Sequence, residues 1–88
     1  MLFMAITQRY KREVKKMKVK VIGSNQTQID HEDGTVIFFS YETPVAGYLP
    51  EIGYVRSDQF YSVTTSKHIN KWLEGVNAVK VSEEKLTF

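Results

Sequence analysis

The stretch Phe60-Tyr61-Ser62-Val63-Thr64-Thr65-Ser66-Lys67-His68-Ile69-Asn70-Lys71-Trp72-Leu73-Glu74-Gly75 decides the fold class, because the hydrophobic period changes within it from two to about 3.6. Gln59 to Thr64 reads as a strand, the second arm of a hairpin that begins at Tyr54-Val55-Arg56 and turns at Ser57-Asp58. From Thr65, the residues Ile69, Trp72, Leu73 and Val76 fall on one face and Lys67, Asn70, Lys71 and Glu74 on the other, which predicts a helix over about 65–74. Thr64, Thr65 or Ser66 caps it, and Gly75 ends it by supplying the left-handed residue after the last turn. So short a helix has little stability alone and must dock on a sheet, with Trp72 as its anchor.

The sheet is written upstream. Lys18-Val19-Lys20-Val21-Ile22 alternates polar and apolar residues, with Val19 and Val21 toward the core, and stops at Gly23-Ser24-Asn25. Gln26 to His31 pairs back, and Glu32-Asp33-Gly34 is a strong hairpin signal because glycine readily takes the positive φ of tight turns. Thr35 to Tyr41 carries Ile37, Phe39 and Tyr41 on one face and Val36 and Phe38 on the other, the pattern of a central strand covered on both sides. Glu42-Thr43-Pro44 breaks it, since proline cannot donate to a ladder. Val45 to Leu49 then reads as a short edge strand. Val79 and Val81 suggest a last strand, and Ser82-Glu83-Glu84 resembles a helix start with too little chain after it, so the terminus is expected to fray. The fold class expected is α+β, a mainly antiparallel sheet of five to six strands with one short helix packed on it.

Eighty-eight residues make one domain, and 42% hydrophobic residues with one Trp and ten Phe or Tyr suffice for one core without metals or disulfides. The absence of cysteine excludes disulfides, thiolate catalysis and cysteine zinc sites, and a reducing cytosol is the default compartment. The apolar run Met1 to Ile6 is too short for a signal-peptide core or a membrane span. Asn25-Gln26-Thr27 matches a glycosylation sequon but reads as a turn.

The net charge of +2 hides an asymmetry: residues 1 to 20 carry seven bases against one acid, and the rest carries five against nine. Two readings of residues 1–16 follow. Phe3, Ile6, Tyr10, Val14 and Met17 share a helical face with Arg9, Lys11, Arg12, Lys15 and Lys16 around it, a basic amphipathic helix suited to nucleic acid or an acidic partner. Alternatively, Lys11-Arg12-Glu13-Val14 is encodable as a purine-rich, ribosome-binding-like run shortly before Met17. On that reading the native protein begins at Met17, residues 17–88 form the domain, and the basic arm has no role.

The polar cluster Thr64, Thr65, Ser66, Lys67, His68 and Lys71 surrounds a helix start, where unpaired amides favour anions. It is the candidate binding surface, weighed against plain helix capping. Tyr41, Tyr48, Tyr54 and Tyr61 are the candidate aromatic surface, because a domain this small cannot bury all its aromatics; an exposed tyrosine face could stack bases or form a protein interface. Ser40 or Ser66 could be paired with His68, and Glu42 with Glu51, but no nucleophile elbow or third triad member accompanies them. His31 with Asp30, Glu32 or Asp33 reads as a solvated turn rather than a metal site. No catalytic residue, metal or cofactor is expected.

With Ser40-Tyr41-Glu42-Thr43-Pro44-Val45-Ala46 and Tyr61-Ser62-Val63-Thr64-Thr65-Ser66-Lys67-His68-Ile69-Asn70-Lys71-Trp72-Leu73 both in view, the chain resembles a family of small uncharacterised bacteriophage proteins over about residues 17–75. The resemblance implies expression inside a bacterial cell and carries no activity with it. The functional class expected is a non-enzymatic protein-binding module, acting on a partner protein or as a homo-oligomer in the cytoplasm without membrane association. The alternative is nucleic-acid binding through the basic arm, Lys67 and Lys71.

Overall fold

The computed structural model describes residues 17–86. Six strands, one helix and a final turn follow in the order β1 (Met17–Gly23), β2 (Gln26–His31), β3 (Val36–Ser40), β4 (Thr43–Leu49), β5 (Gly53–Ser57), α1 (Val63–Leu73), β6 (Val79–Val81) and a 3-10 turn at Glu83–Leu86. The strands lie in the sheet in sequence order. β1 to β5 form an antiparallel meander, and β6 lies parallel to β5. A parallel neighbour requires a crossover, which α1 supplies. The sheet is therefore mixed. The N-terminal helix expected from residues 1–16 lies outside the described residues.

The strand expected over Gln59 to Thr64 does not form, because the outer side of β5 is taken by β6, with Val55 opposite Val79 and Ser57 opposite Val81. The chain turns away instead: the Asp58 amide donates to the Val81 carbonyl at 2.9 Å and the Gln59 amide to Ser57 Oγ at 3.1 Å. Ser62, in extended backbone at φ −167°, is the helix cap, its Oγ accepting from the Thr65 amide at 3.0 Å. The helix thus begins at Val63, and the three residues expected to cap it lie inside it. At its other end Glu74 itself occupies the left-handed region at φ 51°, ahead of Gly75 at φ 84°.

The strand expected at a sheet edge over Val45 to Leu49 is central, and it begins at Thr43 rather than after a break at Pro44. The turn between β3 and β4 is Tyr41-Glu42, with Tyr41 at φ 58° and not on a strand face. Phe38 pairs with Ala46 and Phe39 with Pro44, so Val45 is an extra residue in a bulge. The bulge accommodates the proline, and it releases Val45 from strict alternation, so that Val45 and Ala46 both enter the same core.

That core lies between the sheet and α1: Phe38, Val45, Ala46, Ile69 and Leu73, with Tyr61, Trp72 and Ala78 against them. The other face carries Ile37, Val55 and Leu86, flanked by Phe39, Leu49 and Val81. The C-terminal segment expected to fray is held there, since the 3-10 turn drives Leu86 to full burial. Gly47 of β4 faces this side, and a Cβ on it would stand 2.4 Å from the Val36 carbonyl oxygen. Only glycine lets β4 approach β3 so closely. Coverage is uneven, however. α1 and Leu86 cover β3 to β5, while β2 is half-buried and β1 is exposed over Met17–Ile22.

Candidate functional site

The six-residue binding surface expected on the helix is divided by the fold. Thr65 is buried and His68 half-buried, both turned toward β3, whereas Thr64, Lys67 and Lys71 are exposed and Ser66 lies half-buried on the side of Arg56 and Tyr61. The pairing of Ser40 with His68 does occur: a hydrogen bond of 2.9 Å joins Ser40 Oγ to His68 Nδ1, and another of 3.0 Å joins it to Thr65 Oγ1. Ser40 is only 2% exposed, so the three groups form an internal clasp between β3 and α1. The Tyr41 ring lies over its outer side, 6.0 Å from the His68 ring and tilted by 39°.

The four tyrosines do not form one face. Tyr41 stands exposed in its turn. Tyr61 lies on the far side of α1, its hydroxyl 2.8 Å from both Ser57 Oγ and Glu83 Oε1. Burial is the main influence raising its pKa, and the Glu83 carboxylate adds to it. Tyr48 and Tyr54 do come together, ring centroids 5.1 Å apart at 70°, and Tyr54 stands edge-on to Trp72 at 6.0 Å. With Val36 and Gln28 they line an open groove of about 390 Å³. The sequence reading had given Trp72 to the core. It does stack on Phe38 at 5.3 Å, but its other surroundings are this groove.

A polar chain leads from the groove to the edge of the sheet. Trp72 Nε1 donates to Gln28 Oε1 at 2.9 Å, Gln28 Nε2 donates to Asp30 Oδ1 at 2.7 Å, and Lys20 Nζ reaches Asp30 Oδ2 at 3.0 Å. The Gln28 amide, then Lys20, hold the Asp30 carboxyl below its ordinary pKa. Asp30 is thus held between Gln28 and Lys20. Among the described residues no group of three or more His, Asp or Glu could hold a metal ion.

β1, where that chain ends, is a candidate surface that the sequence did not single out. Val19 and Val21 were expected to face the core, and instead they are 64% and 81% exposed, with Met17 at 55%. The register shows why. Val19 pairs with Ile29 and Ile29 with Ile37, so these side chains lie on the face opposite α1, where Leu86 reaches only the β3 to β5 region. The other face of β1 presents Lys18 beside Asp30 and Lys20 beside Gln28. Among the described residues the outer edge of β1 pairs with no strand. The alternation of lysine with apolar residues was legible; that nothing among the described residues covers the apolar half was not.

These elements define a small α+β protein, a mixed six-stranded sheet clamped by a crossover helix on one face and a 3-10 turn on the other, with an edge hairpin that is uncovered among the described residues. The chain belongs to DUF8033, a family of unknown function, which it matches over residues 17–87. No curated protein and no solved structure matches it. Among the described residues no helix is long and apolar enough to cross a membrane.

Proposed function

We propose that this chain is a non-enzymatic protein-binding module that takes an extended segment of its partner onto the outer edge of β1. The observation that carries this is the joint exposure of Met17, Val19 and Val21 on one face of a seven-residue strand that is, among the described residues, an edge of the sheet. An edge strand presents unpaired N–H and C=O groups, and strand addition to such an edge is a common mode of peptide recognition. Burying what these three side chains expose is worth roughly 3–5 kcal/mol before ordering costs are subtracted. The opposite edge, β6, has three residues and offers far less.

An enzymatic reading has weaker support, because the hydroxyl of Ser40 is buried and occupied by Thr65 and His68. Labelling of Ser40 by a serine-directed electrophile would overturn the non-enzymatic part. Nucleic-acid binding also has less behind it: the basic arm lies outside the described residues, and residues 17–86 carry seven bases against nine acids. The resemblance to phage-encoded proteins extends the proposal to the cytoplasm of a bacterial host and to a host factor as partner. A coding sequence in a genomic setting without phage genes would count against that extension.

The test is capture from nuclease-treated bacterial lysate with the wild-type chain and with Val21→Lys, followed by amide chemical-shift mapping of the recovered complex. Strand addition requires shifts concentrated in residues 17–23 and loss of capture by the variant. Undiminished capture by Val21→Lys would overturn it, and a complex that disappears on nuclease treatment or steeply with salt would favour nucleic acid instead.

A further inference from the structure

We infer that the segment received by β1 alternates acidic with apolar side chains and belongs to a different protein rather than to a second copy of this chain. This rests on the strand-addition reading above.

The two faces of β1 differ in chemistry and are fixed by the register. A strand laid along its outer edge places side chains alternately beside Met17, Val19 and Val21 on one face and beside Lys18 and Lys20 on the other. Directly opposed residues on paired strands stand about 4.5–5.5 Å apart, close enough for apolar contact on the first face and for ion pairing on the second. Lys18 and Lys20 are exposed, and the strand behind them answers with the one carboxylate of Asp30, already held by Lys20 and Gln28. Carboxylates on an incoming strand complement this pair. Lysines on it would not.

The same lysines exclude the simplest dimer. In an antiparallel pairing of two copies about an axis through the sheet, the register that joins all seven residues opposes Lys20 to Lys20. Sliding it to bring Met17 opposite Val21 sets Lys18 against Lys20 twice. Like charges directly opposed are destabilising. Lysine on an edge strand is a known guard against self-pairing. The opposite slide, Val19 against Gly23, spares the lysines but runs into the irregularity between Val21 and Gly23, so among the described residues the edge favours a strand of opposite charge over its own kind.

The test uses the chain with seven-residue peptides that alternate valine with glutamate, serine or lysine, read by amide shifts of residues 17–23 and by Kd at low salt. The glutamate peptide is expected to bind roughly tenfold tighter than the serine peptide, and the lysine peptide most weakly. The order should invert in Lys18→Glu/Lys20→Glu and flatten in Lys18→Gln/Lys20→Gln, which guards against misfolding of the charge-reversed variant. Equal binding of all three peptides at β1 would overturn the charge selection and leave strand addition standing. Absence of β1 shifts with every peptide would overturn both. A wild-type chain that sediments as a dimer with intermolecular contacts across β1 would overturn the exclusion of a second copy.

Discussion

Ser40→Ala tests whether the Ser40, Thr65 and His68 cluster holds the fold together. The hydroxyl lies at a site only 2% exposed and makes hydrogen bonds of 3.0 Å to Thr65 and 2.9 Å to His68. Each contributes about 0.5–1.5 kcal/mol net, so their loss alone costs about 1–3 kcal/mol. The Thr65 hydroxyl, 5% exposed, is then left without Ser40, which adds about 1 kcal/mol even if it turns back to a helix carbonyl. His68 is half-buried and recovers a water. The expected total is about 2–4 kcal/mol, a large fraction of the stability of so small a domain. Urea unfolding followed by the fluorescence of Trp72, the single tryptophan, measures it. Thr65→Val removes one of these bonds and leaves Ser40 with His68, so it should cost about 0.5–1.5 kcal/mol, and the double variant should cost at least about 1 kcal/mol less than the sum, because both single variants lose the shared bond and Thr65 is no longer stranded. A Ser40→Ala cost below about 0.5 kcal/mol, or strict additivity, would refute the clasp.

Gly47→Ala should destabilise by about 2–4 kcal/mol, since its Cβ would meet the Val36 carbonyl oxygen at 2.4 Å and neither strand can move without opening the ladder; an unchanged thermal midpoint would contradict that packing. Glu74→Gly should raise the urea midpoint by the equivalent of about 0.5–1 kcal/mol, because glycine takes the left-handed cap conformation at φ 51° without strain. Trp72→Phe removes the donor to Gln28 and part of the stack on Phe38, and should cost about 1–2 kcal/mol by circular dichroism. The pKa of Tyr61 is raised above its ordinary 10.0, so its contribution is fully present below that value and is lost as pH rises through the folded-state value. Stability should therefore fall above about pH 10, and Tyr61→Phe should flatten that alkaline limb even though it loses the bonds to Ser57 and Glu83.

Where local chemistry dictated structure, the sequence was readable. The alternation in Lys18 to Ile22, the glycine turn at Gly34, the two-faced strand around Ile37 and Phe38, and the helical spacing of Ile69 and Leu73 all correspond to observed elements. The misreadings arose where a distant segment competed for the same place. Gln59 to Thr64 has strand-like alternation, but β6 occupies the edge of β5 on which it would have paired. Ser62 took the cap because the turn after β5 ends there. Val45 to Leu49 looked like an edge because proline precedes it, whereas a bulge placed the proline where the ladder was already interrupted. For the candidate site the limit was different. Residue types fixed which side chains alternate on β1, but its exposure depends on how far the helix and the C-terminal turn extend over the sheet.

That uneven coverage links stability to the proposed role. Among the described residues there are two small cores, and both are centred on β3 to β5, with Phe38 on one side and Ile37 on the other. The β1–β2 hairpin adds ladder hydrogen bonds, the Lys20–Asp30 pair and the Trp72–Gln28 bond, but few fully buried side chains. Surface ion pairs contribute little, so the hairpin is the part of the sheet whose packing is least complete. A strand added at β1 would turn an edge into an interior position and cover Met17, Val19 and Val21. It would thereby supply the burial that α1 and Leu86 give the rest of the sheet. The core could then remain unchanged on binding, with the energetic gain confined to the hairpin. The clasp at Ser40 serves this division by fixing α1 over β3, from where Trp72 reaches Gln28 on β2 while Val19 and Val21 stay on the opposite face of the sheet.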